Sequence, residues 1–513
     1  MKVLFRFLLI FMPFTLFAQQ AIVNTHSGKV EGMVLNEIAV FKGIPYAKPP
    51  VGSLRWKAPE PVAPWTDVKK CISFGASPLQ NEPVPFMCWS KEFLIPKDPI
   101  SEDCLYLNVW SKSTNAKVKK PVLVYIYGGG FRSGGSACPI YDGEAIAKKD
   151  VVFVSFNYRV GVFGFLSHPE LSKESSHHSS GNYALLDMIA ALKWVQQNIA
   201  SFGGDPMQVT IAGQSAGAFA VNFLCATPLA KGLFRSAIAQ SGGSVLPSAI
   251  RPSIKLAEAE AMGTDFAKKI NCHSIDELRK KSATEIQTAV GGLSAPFEDG
   301  YVLPASIFDI YTNGKQNDVN LMLGWNADDK IMGKPMNAID YKAQINKRFG
   351  ESSNAILNFY PGGNNEEAAK SQGDMSRDES FGVQGYAWAS LQEKSGKHPV
   401  YVYNFNRVLP YYTPETNFGA FHSGEIVYAL NNLHTLDRPW EKTDQDLASA
   451  MSDYWVNFVK TGDPNGSSLE KWPAFNPAEE RILVLDKKIA STILPTKGQL
   501  EFLKEYSLAN MKK

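Results

Sequence analysis

Near the middle of the chain Gly213-Gln214-Ser215-Ala216-Gly217 follows the β-branched run Val209-Thr210-Ile211 and leads into the small residues Ala218 and Ala220. A strand that turns into a helix this abruptly leaves no room for side chains on either side of the turn, so glycine is needed at the flanking positions. Such a turn commits the chain to a strand packed beneath the helix that follows, the unit from which parallel α/β sheets are built. The wider pattern agrees. Residues 122–127 and 151–158 are short β-branched and aromatic runs followed by glycine-containing turns, and read as buried central strands. Residues 182–199 carry Leu185, Ile189, Leu192, Val195 and Ile199 at helical spacing and stop before Gly203-Gly204-Asp205-Pro206. Further strands are expected at 208–212, 236–240, 320–324 and 400–405, with a helix over 216–226. The predicted fold class is α/β, with a large, mostly parallel central sheet flanked by helices. No Pro/Ser-rich linker and no internal repeat divides the chain, so one domain is expected over residues 19–513.

The N-terminus reads differently. Lys2 and Arg6 precede an apolar run from Phe7 to Phe17 and then Ala18, the layout of a signal peptide spanning residues 1–18. The run is shorter than the ~20 residues a bilayer-spanning helix needs, so the mature chain is expected to be secreted or periplasmic, without an integral membrane anchor. Removing Lys2 and Arg6 from the 52 basic residues leaves 50 against 50 acidic ones. A neutral chain has no bulk field for nucleic acid or anionic lipid. Six scattered cysteines do not make a disulfide scaffold, and no paired Cys/His spacing suggests a structural metal.

Ser215 at the tip of the turn is the candidate nucleophile, and it needs a base and an orienting acid. In this fold type the chain order is serine, acid, histidine. His26, His168, His177 and His178 precede Ser215, and His273 precedes the best acids. His398 lies at the amino end of the 400–405 strand, whereas parallel sheets build their sites at the carboxyl ends. His422, in the Gly-containing loop from Phe418 to Glu425, is the candidate base, with His434 in reserve. Just past the 320–324 strand, Asp328 and Asp329 are adjacent carboxylates, and the pattern does not choose between them. Gly128-Gly129-Gly130 closes the 122–127 strand, and two of these N–H groups with that of Ala216 would make a three-donor oxyanion hole. No Gly-Lys-Ser/Thr or GxGxxG supports a phosphate cradle instead.

These elements together resemble the type-B carboxylesterase and cholinesterase branch of the α/β-hydrolases. The resemblance extends to Phe41-Lys42-Gly43-Ile44-Pro45-Tyr46-Ala47, to Ser101-Glu102-Asp103-Cys104-Leu105-Tyr106-Leu107-Asn108-Val109, and to residues 157–165, 202–206 and 461–465, in the family's order. It implies an α/β-hydrolase fold, Ser215 as nucleophile, His422 as general base, Asp329 as acid, and Gly129, Gly130 and Ala216 as oxyanion donors. It implies hydrolysis of small to medium carboxylic esters through an acyl-enzyme, with a small-molecule ester as partner and no metal or organic cofactor. Lipase action on longer acyl chains, with residues 83–99 as an apolar lid or gorge wall, and a non-catalytic binding protein of the same fold are the alternatives. Several positions depart from the family pattern. Asp329 stands where Glu is usual, Lys330 where Gly is usual, and Gln214 where Glu is usual, which removes a carboxylate that would favour cationic substrates. Trp89 is a loosely spaced counterpart of the choline-site tryptophan. The resemblance also implies a disulfide from Cys104 to Cys71 or Cys88, while Cys272 lacks its partner because Glu277 stands there.

Overall fold

In the computed structural model the residues described are 20–247, 253–289, 291, 294–330 and 334–510, so the expected signal peptide lies outside them. The strands are β1 (Gln20–Thr25), β2 (Gly28–Leu35), β3 (Ile38–Pro45), β4 (Lys69–Lys70), β5 (Ser77–Pro78), β6 (Ile100–Ser101), β7 (Tyr106–Ser111), β8 (Lys120–Ile126), β9 (Val152–Phe156), β10 (Gly204–Gln214), β11 (Ser236–Gln240), β12 (Asn320–Asn326), β13 (Val400–Phe405), β14 (Arg481–Leu485) and β15 (Ala490–Ile493). The main sheet runs β1-β2-β3-β7-β9-β8-β10-β11-β12-β13-β14-β15, with β4 beside β2. From β9 through β14 every neighbouring pair is parallel, and the β1-β2-β3-β7 arm joins β9 antiparallel.

Burial explains why the central strands were readable and the arm was not. Every residue of β9 and β11 is buried, the signature of strands covered by helices on both faces. In the arm, β1 alternates exposed and buried residues, and Ile22 is 54% exposed. The β2–β3 turn is made by Asn36 and Glu37, both at positive φ (48° and 67°), the backbone a tight antiparallel hairpin requires. The helix Tyr183–Asn198 lies within one residue of the predicted span, and its Asp187 accepts two bonds from the Arg159 guanidinium, 2.8 and 2.7 Å long. Both side chains are buried, so losing one would strand the other's charge.

The expected disulfide is absent. All six cysteines are buried free thiols. Cys71 is bonded through its backbone to Glu31 and Lys42 beside the antiparallel arm, and Cys88 lies where Arg438 and Asp329 act on it. Cys104 sits in the field of Asp187 and Arg159 instead. Burial pushes the Cys71 and Cys88 thiols up to about 12, which keeps both protonated and unreactive.

Candidate active site

The parallel register brings three loops together at one edge. Gly213 of β10 pairs with Ile126 of β8, Gln214 with Gln240 of β11, and Gln240 with Gly324 of β12, so these strands end level with one another. Ser215 is the first residue beyond β10, with φ 56° and ψ −125°, a conformation that non-glycine residues adopt only under strain. Its N–H is held by the Gln240 carbonyl at 2.9 Å. The flanking glycines are sterically required. A Cβ on Gly217 would lie 2.0 Å from the Ile126 carbonyl oxygen, and one on Gly213 would lie 2.5 Å from the Gly217 backbone.

The glycine turn after β8 packs against this elbow, where a Cβ on Gly128 would meet Ser215 Cβ at 3.0 Å. Gly129 and Gly130 both have positive φ, at 114° and 63°. Among the described residues the N–H groups of Gly129, Gly130 and Ala216 donate to no other group, and Gly130, Ser215 and Ala216 line one cavity of about 450 Å³.

The structure separates the two candidate acids. Asp329 Oδ1 lies 2.5 Å from His422 Nδ1, and its other oxygen accepts the Asn326 N–H at 3.0 Å. Asp328 turns the other way: its carboxylate accepts the Ala420 N–H at 2.8 Å and its own N–H donates to the Ala420 carbonyl. Asp329 therefore faces the imidazole, and Asp328 ties down the loop that carries it. The serine and histidine are not joined by a hydrogen bond. His422 Nε2 lies 3.3 Å and Nδ1 3.5 Å from the Gln214 amide nitrogen. A catalytic contact of this kind often closes only when substrate is bound. His398 lies away from this cluster, 4.0 Å from Asp318, and His434 lines a separate polar cleft with Glu144.

Aromatic rings fix the imidazole from two sides. Phe381 stacks on it at 4.8 Å and 19°, and Trp89 meets it edge-on at 6.3 Å while donating to Ser423 Oγ at 3.4 Å. The segment over residues 83–99 is mixed. Phe86 and Met87 at its tip are 56% and 65% exposed, whereas Phe93 and Ile95 are buried.

Glu425 and Phe381 received no role from the sequence. Glu425 is fully buried beneath the site, accepting from Asn326 Nδ2 at 2.6 Å and Gln240 Nε2 at 3.3 Å. Burial first, and the negative charge of Asp329 second, push its carboxyl up to about 7. A Glu three residues after the candidate base was the available signal.

A serine on a strained strand-to-helix turn at the carboxyl edge of a mostly parallel sheet, beside a glycine turn and a buried His–Asp pair, defines the α/β-hydrolase class. Residues 19–503 match the carboxylesterase family, and the chain belongs to that family of carboxylic ester hydrolases. It is 35% identical to the fumonisin B1 esterase of Sphingopyxis macrogoltabida over 91% of this chain and 87% of that one. It is 33% identical to the para-nitrobenzyl esterase of Bacillus subtilis (strain 168) over 93% and 99%. A solved structure of PNB esterase superposes with a TM-score of 0.80 at 31% identity, covering 95% of this chain and 99% of the other. Among the described residues no helix is long and apolar enough to cross a membrane.

Proposed function

We propose that the protein hydrolyses small to medium carboxylic esters through an acyl-enzyme on Ser215, and that it acts after export. The observation that supports the reading is that the strained Ser215 and the unpaired N–H groups of Gly130 and Ala216 line one cavity, while the His422 ring, held by Asp329, lies beside Gln214, the residue before the serine. In this scheme His422 Nε2 takes the Ser215 hydroxyl proton as Oγ attacks the ester carbonyl. The oxyanion is held by the N–H groups of Gly129, Gly130 and Ala216. Collapse breaks the bond to the alcohol, which leaves with the proton from His422. Water then attacks the acyl-serine, again giving its proton to His422, and the acyl–Oγ bond breaks as His422 returns that proton to Ser215, releasing the acid. Asp329 keeps the Nδ1 proton in place and offsets the charge of the imidazolium.

In this scheme the two sides of the site take different parts of the ester. The leaving alcohol receives its proton from His422, so it lies on the side of His422, Trp89 and Phe381. The 450 Å³ cavity is lined by Ser215, Gly130 and Ala216 but not by His422, so it takes the acyl group. Its apolar wall includes Phe219, Phe223, Leu246 and Phe308.

The test is turnover of p-nitrophenyl esters from acetate to palmitate by the wild type and Ser215→Ala. Wild-type turnover and a loss on the order of 10⁶-fold in the variant are expected. Retained turnover in pure variant protein refutes the assignment of Ser215, and an optimum at palmitate refutes the small-to-medium substrate class.

A further inference from the structure

We propose that Arg377 is a positioning residue for the His–Asp pair, a reading that rests on the proposed roles of His422 and Asp329. Arg377 is the last residue of the helix Asn365–Arg377 and is remote in sequence from Ser215, Asp329 and His422. Its guanidinium is nonetheless bonded directly to the acid loop. Nη1 donates at 3.0 Å to the carbonyl of Ala327, two residues before Asp329.

The other groups of that loop are tied elsewhere. The Ala327 N–H donates to the Phe405 carbonyl at the end of β13, the Asp328 N–H to Ala420, and Asn326 Nδ2 to the Phe421 carbonyl. These ties hold the loop to the neighbouring strand and to the histidine loop. The bond from Arg377 holds it to the helical layer.

That same layer carries Phe381. The five residues after Arg377, Asp378–Gly382, form a single π-helical turn, a feature that recurs at functional sites because it redirects side chains without ending the helix. The turn lays Phe381 flat on the His422 ring. Arg377 is locked to its first residue by a bidentate pair, Nε to Asp378 Oδ1 at 2.7 Å and Nη2 to Oδ2 at 3.0 Å, and Nη1 also reaches Asp374 at 3.1 Å. Tyr360 completes Asp378 with a hydroxyl bond of 2.9 Å. One planar guanidinium therefore fixes the loop bearing the carboxylate and the turn bearing the aromatic plate in a single frame. Lysine, a point donor, cannot serve both. The imidazole lies between these two walls, and its alignment with Ser215 follows from their separation.

The test compares Arg377→Met, Arg377→Lys, Asp329→Asn and the double variant Arg377→Met/Asp329→Asn on a p-nitrophenyl ester that the wild type turns over. Arg377→Met is expected to lower kcat about 10–100-fold with KM within about twofold, the scale of a misplacement near 1 Å. Arg377→Lys, which keeps the charge beside Asp378, is expected to fold if Met does not, and to lower kcat in smaller measure, again with KM unchanged. In the Asp329→Asn background the added Arg377→Met change is expected to cost under threefold. A full additive loss there, or a wild-type kcat in folded Arg377→Met, overturns the proposal and leaves Arg377 a structural ion pair. Wild-type turnover by Asp329→Asn alone instead overturns the assignment of the acid on which it rests.

Discussion

Replacing Glu425 by Gln isolates one buried charge beneath the site. Its carboxyl is raised from 4.5 to about 7, first by burial and then by Asp329, with Asn326 and His422 acting in the opposite direction. In the unfolded chain the group returns to its ordinary value. Between about pH 4.5 and 7 the folded protein therefore holds a proton that the unfolded chain has released. Stability consequently falls as pH rises through that window, and the whole contribution is lost above 7. At 1.36 kcal/mol per pH unit the interval amounts to about 3 kcal/mol. Glutamine keeps the shape and cannot ionise. The Gln240 amide opposite, 3.3 Å from Oε1, can turn to meet it, so any lost hydrogen bond adds an offset that does not vary with pH. Urea unfolding at pH 5, 6, 7 and 8 is expected to show Glu425→Gln gaining on the wild type by up to about 3 kcal/mol across the series. Parallel stability profiles would refute the reasoning, because they would mean that Glu425 titrates alike in the folded and unfolded chains.

Four further substitutions probe the site from other directions. Asp329→Asn is expected to lower kcat by about 10⁴-fold. Asp328→Asn should cost about 1–3 kcal/mol of stability through the weakened bond to the Ala420 N–H and should lower kcat far less than Asp329→Asn does; the reverse ranking in paired kinetics and urea melts would exchange their roles. Gly217→Ala places a Cβ 2.0 Å from the Ile126 oxygen and is expected to cost about 3 kcal/mol or more and to move Ser215 away from the N–H groups of Gly130 and Ala216. A wild-type urea midpoint and kcat for that variant would refute the steric account of the elbow. Gln214→Glu introduces a carboxylate near His422 and is expected to raise kcat/KM for a choline thioester over its uncharged dimethylbutyl analogue by about fivefold, the equivalent of about 1 kcal/mol at 4 Å in water. An unchanged ratio would remove the electrostatic argument.

What could be read from the residues follows from how local each feature is. The strands β8 to β13 are short apolar runs between turns, and the elbow is a contiguous pattern whose glycines are forced by backbone contact, so both were legible. His422 was reachable because strand polarity excludes His398. The choice between Asp328 and Asp329 was not legible from pattern, because adjacent loop carboxylates differ only in the direction each faces, which long-range pairing decides. Phe381 was hidden for a related reason: an aromatic in a helical segment reads as ordinary core, and only the π-helical turn directs it onto the imidazole. Glu425 looked like a polar loop residue because nothing local reveals that the loop is covered. The antiparallel arm escaped because its strands are half exposed and its turn depends on the φ values of Asn36 and Glu37. The implied disulfide failed because its cysteines occupy three separate surroundings.

The position of the imidazole is itself a consequence of strand pairing carried past the end of the sheet. Beyond β12, Asp328 forms an isolated parallel bridge with Phe421, so the acid loop and the histidine loop are joined for one residue as strands would be. The Asp328 carboxylate reinforces the bridge at Ala420, and Gly419 is glycine at φ 71° because a Cβ there would lie 2.2 Å from that carboxylate. Asp329, next along, then faces the residue after Phe421, which is His422. Side chains of paired extended segments meet at matched positions, so one bridge suffices to bring Asp329 to the Nδ1 of His422. The two aspartates divide the work by adjacency: the first sets the register between the loops, and the second uses it. A change at Asp328 or Gly419 should therefore act on ester turnover through the His–Asp distance even though neither residue touches the imidazole.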